Sequence, residues 1–181
     1  MDAITLLKQD HKTVKDLFKQ FEKTEDGSRR EELVAEIIRE LTVHAEVEEE
    51  VFYPAVRQEV PEVDDDVLES YEEHRVAVWL MEQLEGLSPD DERYEARVMV
   101  FKEIVEHHVE EEEEQWFPKV REELGRKALG ELGTALEEAK ARRGMPVAKK
   151  AAARKAGAKK TTAKKAPAKK AAAKKAPARK G

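Results

Sequence analysis

The chain has 181 residues, with 40 acids against 34 bases and no cysteine. That length suits one globular domain of ordinary size, and the lack of thiols excludes disulfides and thiolate metal sites, so any metal must be held by imidazole and carboxylate. The modest net charge of −6 hides a split, because 14 of the bases and none of the acids lie from Lys149 onward, leaving about −20 in front and +14 behind.

In chain order, residues 2–25 predict an amphipathic helix capped by Asp2, with Ile4, Leu7, His11, Val14, Phe18 and Phe21 on one face. Asp26 and Gly27 break it. A second helix is predicted from Ser28, aligning Val34, Ile37, Leu41, His44, Glu48 and Val51, and is expected to end near Pro54. After a link at 61–66, a third carries Val67, Tyr71, His74, Val78 and Met81. Gly86 stops it, and Ser88-Pro89 predict the cap and first position of a fourth. That helix presents Tyr94, Val98, Phe101, Val105, His108 and Glu112 and is expected to run out by Pro118. A weaker segment, 121–143, reads as one or two short helices on the outside. Strand patterns are absent, so the expected fold is all-α, an antiparallel up-down-up-down four-helix bundle. The expected domains are a bundle over 1–124, an accessory helical segment over 125–144 and a basic tail over 145–181. No basic segment leads into an apolar run at the N-terminus and no stretch approaches ~18 apolar residues, so neither a signal peptide nor a membrane span is expected. A cytoplasmic protein is the expectation.

The bundle repeats internally. Residues 44–60, HAEVEEEVFYPAVRQEV, recur 64 positions later as HVEEEEEQWFPKVREEL, and the surroundings of His11 recur more weakly around His74. Four of the five histidines (11, 44, 74 and 108) fall on inward faces of four helices. Glu48 and Glu112 follow His44 and His108 by four residues and share their faces. A carboxylate on a core face is costly unless paired or bound to metal. Imidazole nitrogens with carboxylates that can bridge two cations fit Fe, Mn or Zn, and bundle interiors house such sites. Six ligand residues would leave positions open for O2, NO, peroxide or water. By contrast, Phe52, Tyr53, Trp116 and Phe117 before the prolines read as end-of-bundle core, Trp79 as a flank, and most of Glu46–Glu50 and Glu110–Glu114 as solvated faces. No phosphate loop, nucleophile elbow or HExxH motif is present, which leaves hydrolase and nucleotide-enzyme readings without support.

DHKTV around His11, HAEVEEEVFYP, YEEHRV and HHVEEEEEQWFP together resemble the hemerythrin family in its HHE cation-binding branch, over about residues 5–124. The resemblance implies a four-helix bundle with a non-haem di-iron centre, two Fe ions rather than Mn or Zn, that handles O2 or related small molecules. By match of motif the ligands would be His11, His44, Glu48, His74, His108 and Glu112. Oxygen-carrying members supply two histidines from the third helix, whereas here the residue four after His74 is Val78, which argues against reversible oxygen transport. His107 is the candidate additional ligand, although helical neighbours point about 100° apart, which sets it beside the site. Glu49, Glu113 and Tyr71 are further conceivable ligands. Carrier, sensor and enzyme (peroxidase-like, nitric-oxide handling or repair of iron centres) all stay open, as does a metal-stabilised structural module.

From Lys149 the chain is almost wholly Ala, Lys and Pro, with basic pairs every five residues: Lys149 and Lys150, Arg154 and Lys155, Lys159 and Lys160, Lys164 and Lys165, Lys169 and Lys170, Lys174 and Lys175, Arg179 and Lys180. It has no means of building a core and is expected to be disordered when free. Its composition resembles the C-terminal tails of linker histones, which implies phosphate neutralisation on nucleic acid without base readout and hence nucleoid association. Docking onto the acidic front domain is the alternative.

Overall fold

The structure, a computed structural model, describes residues 1–145. Six α-helices make up the chain over this range: α1 (Ala3–Lys23), α2 (Gly27–Val47), α3 (Tyr53–Glu59), α4 (Asp64–Glu85), α5 (Tyr94–Glu110) and α6 (Phe117–Arg142). Short π-helical turns join α2 to α3 (Glu48–Phe52) and α5 to α6 (Glu111–Trp116). Among the described residues there is no strand, and α1, α2, α4 and α5 form an all-α bundle. The lysine and arginine pairs from Lys149 to Lys180 lie outside the described residues.

The helix starts follow from local chemistry. Asp2 caps α1 by accepting the Thr5 N–H at 3.0 Å, and Asp26 caps α2 by accepting the Arg29 N–H at 2.8 Å. The expected start of the fourth helix is corrected. Ser88 Oγ accepts the Asp90 N–H and Asp91 accepts the Arg93 N–H, so these side chains hold a turn and α5 begins only at Tyr94. The expected stops at Pro54 and Pro118 are corrected too. Each proline follows a π-helical turn and sits in the first turn of a new helix, where its missing N–H has no intrahelical partner to lose.

Two clusters of buried side chains fill the interior on either side of the histidine layer. One, toward the far end, is built from Phe18, Phe21, Leu33, Ile37, Val98 and Phe101 among others. The other holds Phe52, Tyr53, Trp116, Phe117, Ile4 and Leu7, and α6 adds Leu129, Leu136 and Ala139 to it. The segment after Pro118 is thus one kinked helix that contributes to the core. Its kink is at Gly125, whose φ of 66° suits glycine. Val78 and Trp79, expected inside or beside the core, are 45% and 57% exposed.

Helix α6 crosses the start of α1 at Gly133. A Cβ there would overlap the Met1 carbonyl oxygen and lie 2.9 Å from backbone atoms of Asp2 and Ala3. Gly133→Ala is therefore expected to destabilise the protein by about 1–3 kcal/mol, the usual cost of overpacking, read as a lower denaturation midpoint. An unchanged midpoint would mean that the two backbones do not meet so closely.

Candidate metal centre

His11 on α1, His44 on α2, His74 on α4 and His108 on α5 are all buried, as are Glu48 and Glu112. The two glutamates lie at the first residue and the second residue of the π-helical turns that follow α2 and α5, and π-bulges recur at functional sites. The histidines meet in pairs. His11 Nε2 lies 3.1 Å from His44 Nε2, and His74 Nε2 lies 3.2 Å from His108 Nε2. Each glutamate spans both pairs. Glu48 Oε2 is 3.2 Å from His44 and 3.4 Å from His74. Glu112 Oε2 is 3.1 Å from His11 and 3.8 Å from His108.

Each imidazole turns its other nitrogen to an outer carboxylate. His11 Nδ1 meets Glu113 at 2.8 Å, His44 Nδ1 meets Asp10 at 3.3 Å, His74 Nδ1 meets Glu49 at 2.9 Å and His108 Nδ1 meets Glu73 at 2.8 Å. Such partners place the proton on Nδ1 and direct the Nε2 lone pair inward, the arrangement of a metal-ligating histidine. The four carboxylates follow one rule: Asp10 and Glu73 directly precede a histidine, and Glu49 and Glu113 directly follow an inward glutamate. Each of the latter two serves the other repeat, which ties the halves of the bundle together.

Four lone pairs and two carboxylates thus converge with almost no donors between them. Glu48 Oε1 and Glu112 Oε2 are buried without a hydrogen bond, the latter lying near His11 Nε2 but off the line of a hydrogen bond. Orphaned buried carboxylate oxygens call for a cation. The spacing fits one, since two nitrogens each about 2.1 Å from an ion and near a right angle lie about 3 Å apart. Two donor groups can be drawn that share Glu48, one with His11, His44 and Glu112 and the other with His74 and His108.

Without a cation, protons must fill the gap. Burial by itself lowers a histidine pKa, but the carboxylates of Glu112 and Glu113 outweigh it and raise His11 to about 9. Burial is likewise outweighed at His74, where Glu48 and Glu49 raise it to about 10. Glu113 falls to about 2, chiefly through His11. Groups whose folded pKa is raised stabilise the fold fully below their unfolded value and lose that contribution as pH rises through the folded value. The metal-free protein is therefore expected to lose stability between about pH 6.5 and 10, while the metal-loaded protein, whose imidazoles are already deprotonated, holds level. Denaturation midpoints across that range measure it, and parallel curves for the two forms would contradict it.

A residue beyond the expected set also enters the centre. The Tyr53 hydroxyl donates to Glu112 Oε1 at 2.9 Å and lies 3.3 Å from both Glu48 Oε2 and His74 Nε2. Burial, then the Glu112 and Glu48 charges, raise its pKa well above 10, so it keeps its proton. Tyr53 stacks on His74, while Phe117, its counterpart 64 residues later, stacks on His11. His107 lies outside the centre, 62% exposed on its side chain, within 4 Å of Glu73 and Glu111 at the surface. Glu49 and Glu113 hold imidazoles from outside. Tyr71 packs edge-on against Tyr53.

A narrow apolar cleft reaches the centre between α2, α4 and α5. Leu41, Ala77, Val78, Met81, Ile104 and Val105 line it, with His44, His74 and His108 at its floor. Its free volume of about 20 Å³ admits one water-sized molecule.

Residues 2–120 match the family model of the hemerythrin HHE cation binding domain. Among curated proteins, a DNA nickase of Nostoc sp. (strain PCC 7120) is 32% identical over 142 residues, which is 78% of this chain but 40% of the nickase. Among solved structures, a hemerythrin HHE cation-binding domain-containing protein from Mycobacterium kansasii is 25% identical, with a TM-score of 0.67 over 80% of this chain and 88% of that one.

Proposed function

The chain belongs to the hemerythrin HHE cation-binding domain family, and from that premise we propose that His11, His44, Glu48, His74, His108 and Glu112 hold two iron ions that bind, sense or consume a small oxidant. The observation that carries this reading is the convergence of four Nε2 atoms on two glutamates that each span both histidine pairs. Iron held there would supply redox chemistry and open coordination positions for a diatomic molecule or peroxide.

The chain's own residues set what can arrive. The cleft walls are apolar, so a neutral molecule such as O2 or NO enters more readily than an anion, which would leave its hydration behind. Four outer carboxylates fix the imidazole tautomers and rings. Among the described residues, Tyr53 holds the one hydroxyl proton on the glutamates and keeps Glu112 in place.

The second part of the proposal is that the basic tail tethers this domain to nucleic acid. Its lysine pairs suit phosphate contacts that release counterions. The relative named DNA nickase adds support, although this chain spans less than half of that protein. An iron centre that consumes oxidants beside nucleic acid would keep iron-driven oxidation away from it.

The test uses the full chain loaded anaerobically with ferrous iron and then exposed in turn to O2, NO and peroxide. A visible band that appears with O2 and vanishes on purging indicates a reversible binder or sensor. Irreversible conversion to ferric iron indicates an oxidant-consuming enzyme. No change with any of the three contradicts the small-oxidant reading. For the tail, DNA affinity is expected to fall steeply with salt, and deletion of residues 149–181 is expected to abolish it. Equal salt-sensitive binding without those residues would refute the tether.

A further inference from the structure

The two histidine pairs come from repeated sequence, yet their surroundings differ in charge. Around the His11/His44 pair, both outer carboxylates are neutralised. Lys8 Nζ lies 3.2 Å from Glu113, and the buried Lys140 on α6 pairs with Asp10. Around the His74/His108 pair, neither Glu49 nor Glu73 has a lysine or arginine within 4 Å among the described residues.

The repeat shows where the difference arises. The counterpart of Lys8, 63 positions later, is Tyr71, a neutral group whose neighbours include Glu49. The counterparts of buried Val43 and Val47 are His107 and Glu111, and Glu111 adds a further carboxylate beside Glu73. The phenol of Tyr53 also stands on the His74 side, where the other repeat offers only the ring of Phe117. Apart from His107, an imidazole 3.8 Å from Glu73, these differences place more negative charge or more donor groups on one side of the centre.

We propose that the two metal positions are inequivalent, the His74/His108 position filling first and holding the ion of higher charge. This rests on the reading that the six inward donors hold a metal pair. An imidazole whose outer carboxylate lacks a cation is the stronger donor. The position between His11 and His44, with its carboxylates neutralised by lysine, takes the second and more readily reduced ion. The outer partners of metal-bound histidines commonly contribute 10–100-fold in affinity, so a gap on the order of tenfold is expected between the positions.

The experiment supplies the full-length metal-free protein with one equivalent of Co2+ and reads the occupancy of each position by anomalous diffraction. Cobalt is expected mainly between His74 and His108. Lys8→Met removes a surface cation, leaves the core alone and is expected to raise occupancy at the His11/His44 position. Tyr71→Lys, the reciprocal change, is expected to lower occupancy at the His74/His108 position. Equal filling in the parent protein, first filling between His11 and His44, or a ratio that neither variant shifts would overturn the inequivalence alone. Absence of cobalt from both positions would overturn the metal-centre reading along with it.

Discussion

Replacing Glu48 and Glu112 together by glutamine is expected to abolish tight iron binding at the proposed centre, with an affinity loss of at least about 100-fold, beyond what outer partners alone contribute. Each glutamate contacts a histidine from both pairs, so each is placed to bridge. An amide keeps the shape of the carboxylate but has neither its charge nor its second anionic oxygen. Four imidazoles would remain, two for each ion, in a cavity stripped of its negative charge. The same change removes Glu112 and Glu48 from among the groups that raise His11 and His74 and leaves Glu113 and Glu49, so the alkaline loss of stability expected of the metal-free parent should shrink in the variant. Iron content after gel filtration and denaturation midpoints across pH read both effects. Retention of stoichiometric iron would mean that the glutamates are not ligands.

Phe52→Ala carries the largest expected stability loss, about 3–5 kcal/mol for truncating a buried phenylalanine. Phe52 is fully buried, stacked on Trp116 with ring centroids 6.0 Å apart and edge-on to Phe117 at 5.7 Å. These rings close the bundle beneath the centre, and their neighbours Tyr53 and Phe117 support His74 and His11. A cavity at this place loosens two of the proposed ligands at once, so metal affinity should fall with stability. Chemical denaturation of the metal-free protein, with an unchanged slope and a lower midpoint, gives the first number. A loss below about 1 kcal/mol would show that the ring is not part of a tightly packed core.

Much of this site is legible in the sequence because it obeys helical periodicity. His44 and Glu48 are spaced for one α-helical face, as are His108 and Glu112, and the inward placement of all six candidate ligands follows from the apolar stripes around them. Tyr53 is hidden by the same rule. On an α-helix it would sit about 140° from Glu48, but the intervening π-helical turn takes more residues per revolution and brings its hydroxyl within 3.3 Å of that carboxylate. Neither the proline nor the glutamate run signals such a turn. Reading Tyr53 as plain core and Pro54 as a stop are two results of one missed feature.

The outer carboxylates were obscured differently. Glu49 and Glu113 lie inside runs of glutamate that read as solvated faces, and Glu49 is indeed 42% exposed on its side chain while holding His74. A signal was available in the repeat itself, since an acid precedes His11 and His74 and follows Glu48 and Glu112. The role of α6 was the least visible. Its glycines weaken the helical pattern, yet Gly133 is what permits its close crossing of α1, and Lys140 reaches Asp10 across 130 residues of sequence. Contacts so distant in sequence leave no local period to read.

The central claim is tested most directly by anomalous diffraction at the iron edge on crystals of the full chain loaded anaerobically with ferrous iron. Two iron peaks, one between His11 and His44 and one between His74 and His108, both touching Glu48 and Glu112, are the expected result. Density free of iron at that place, with the four histidines still paired through protons, would contradict it.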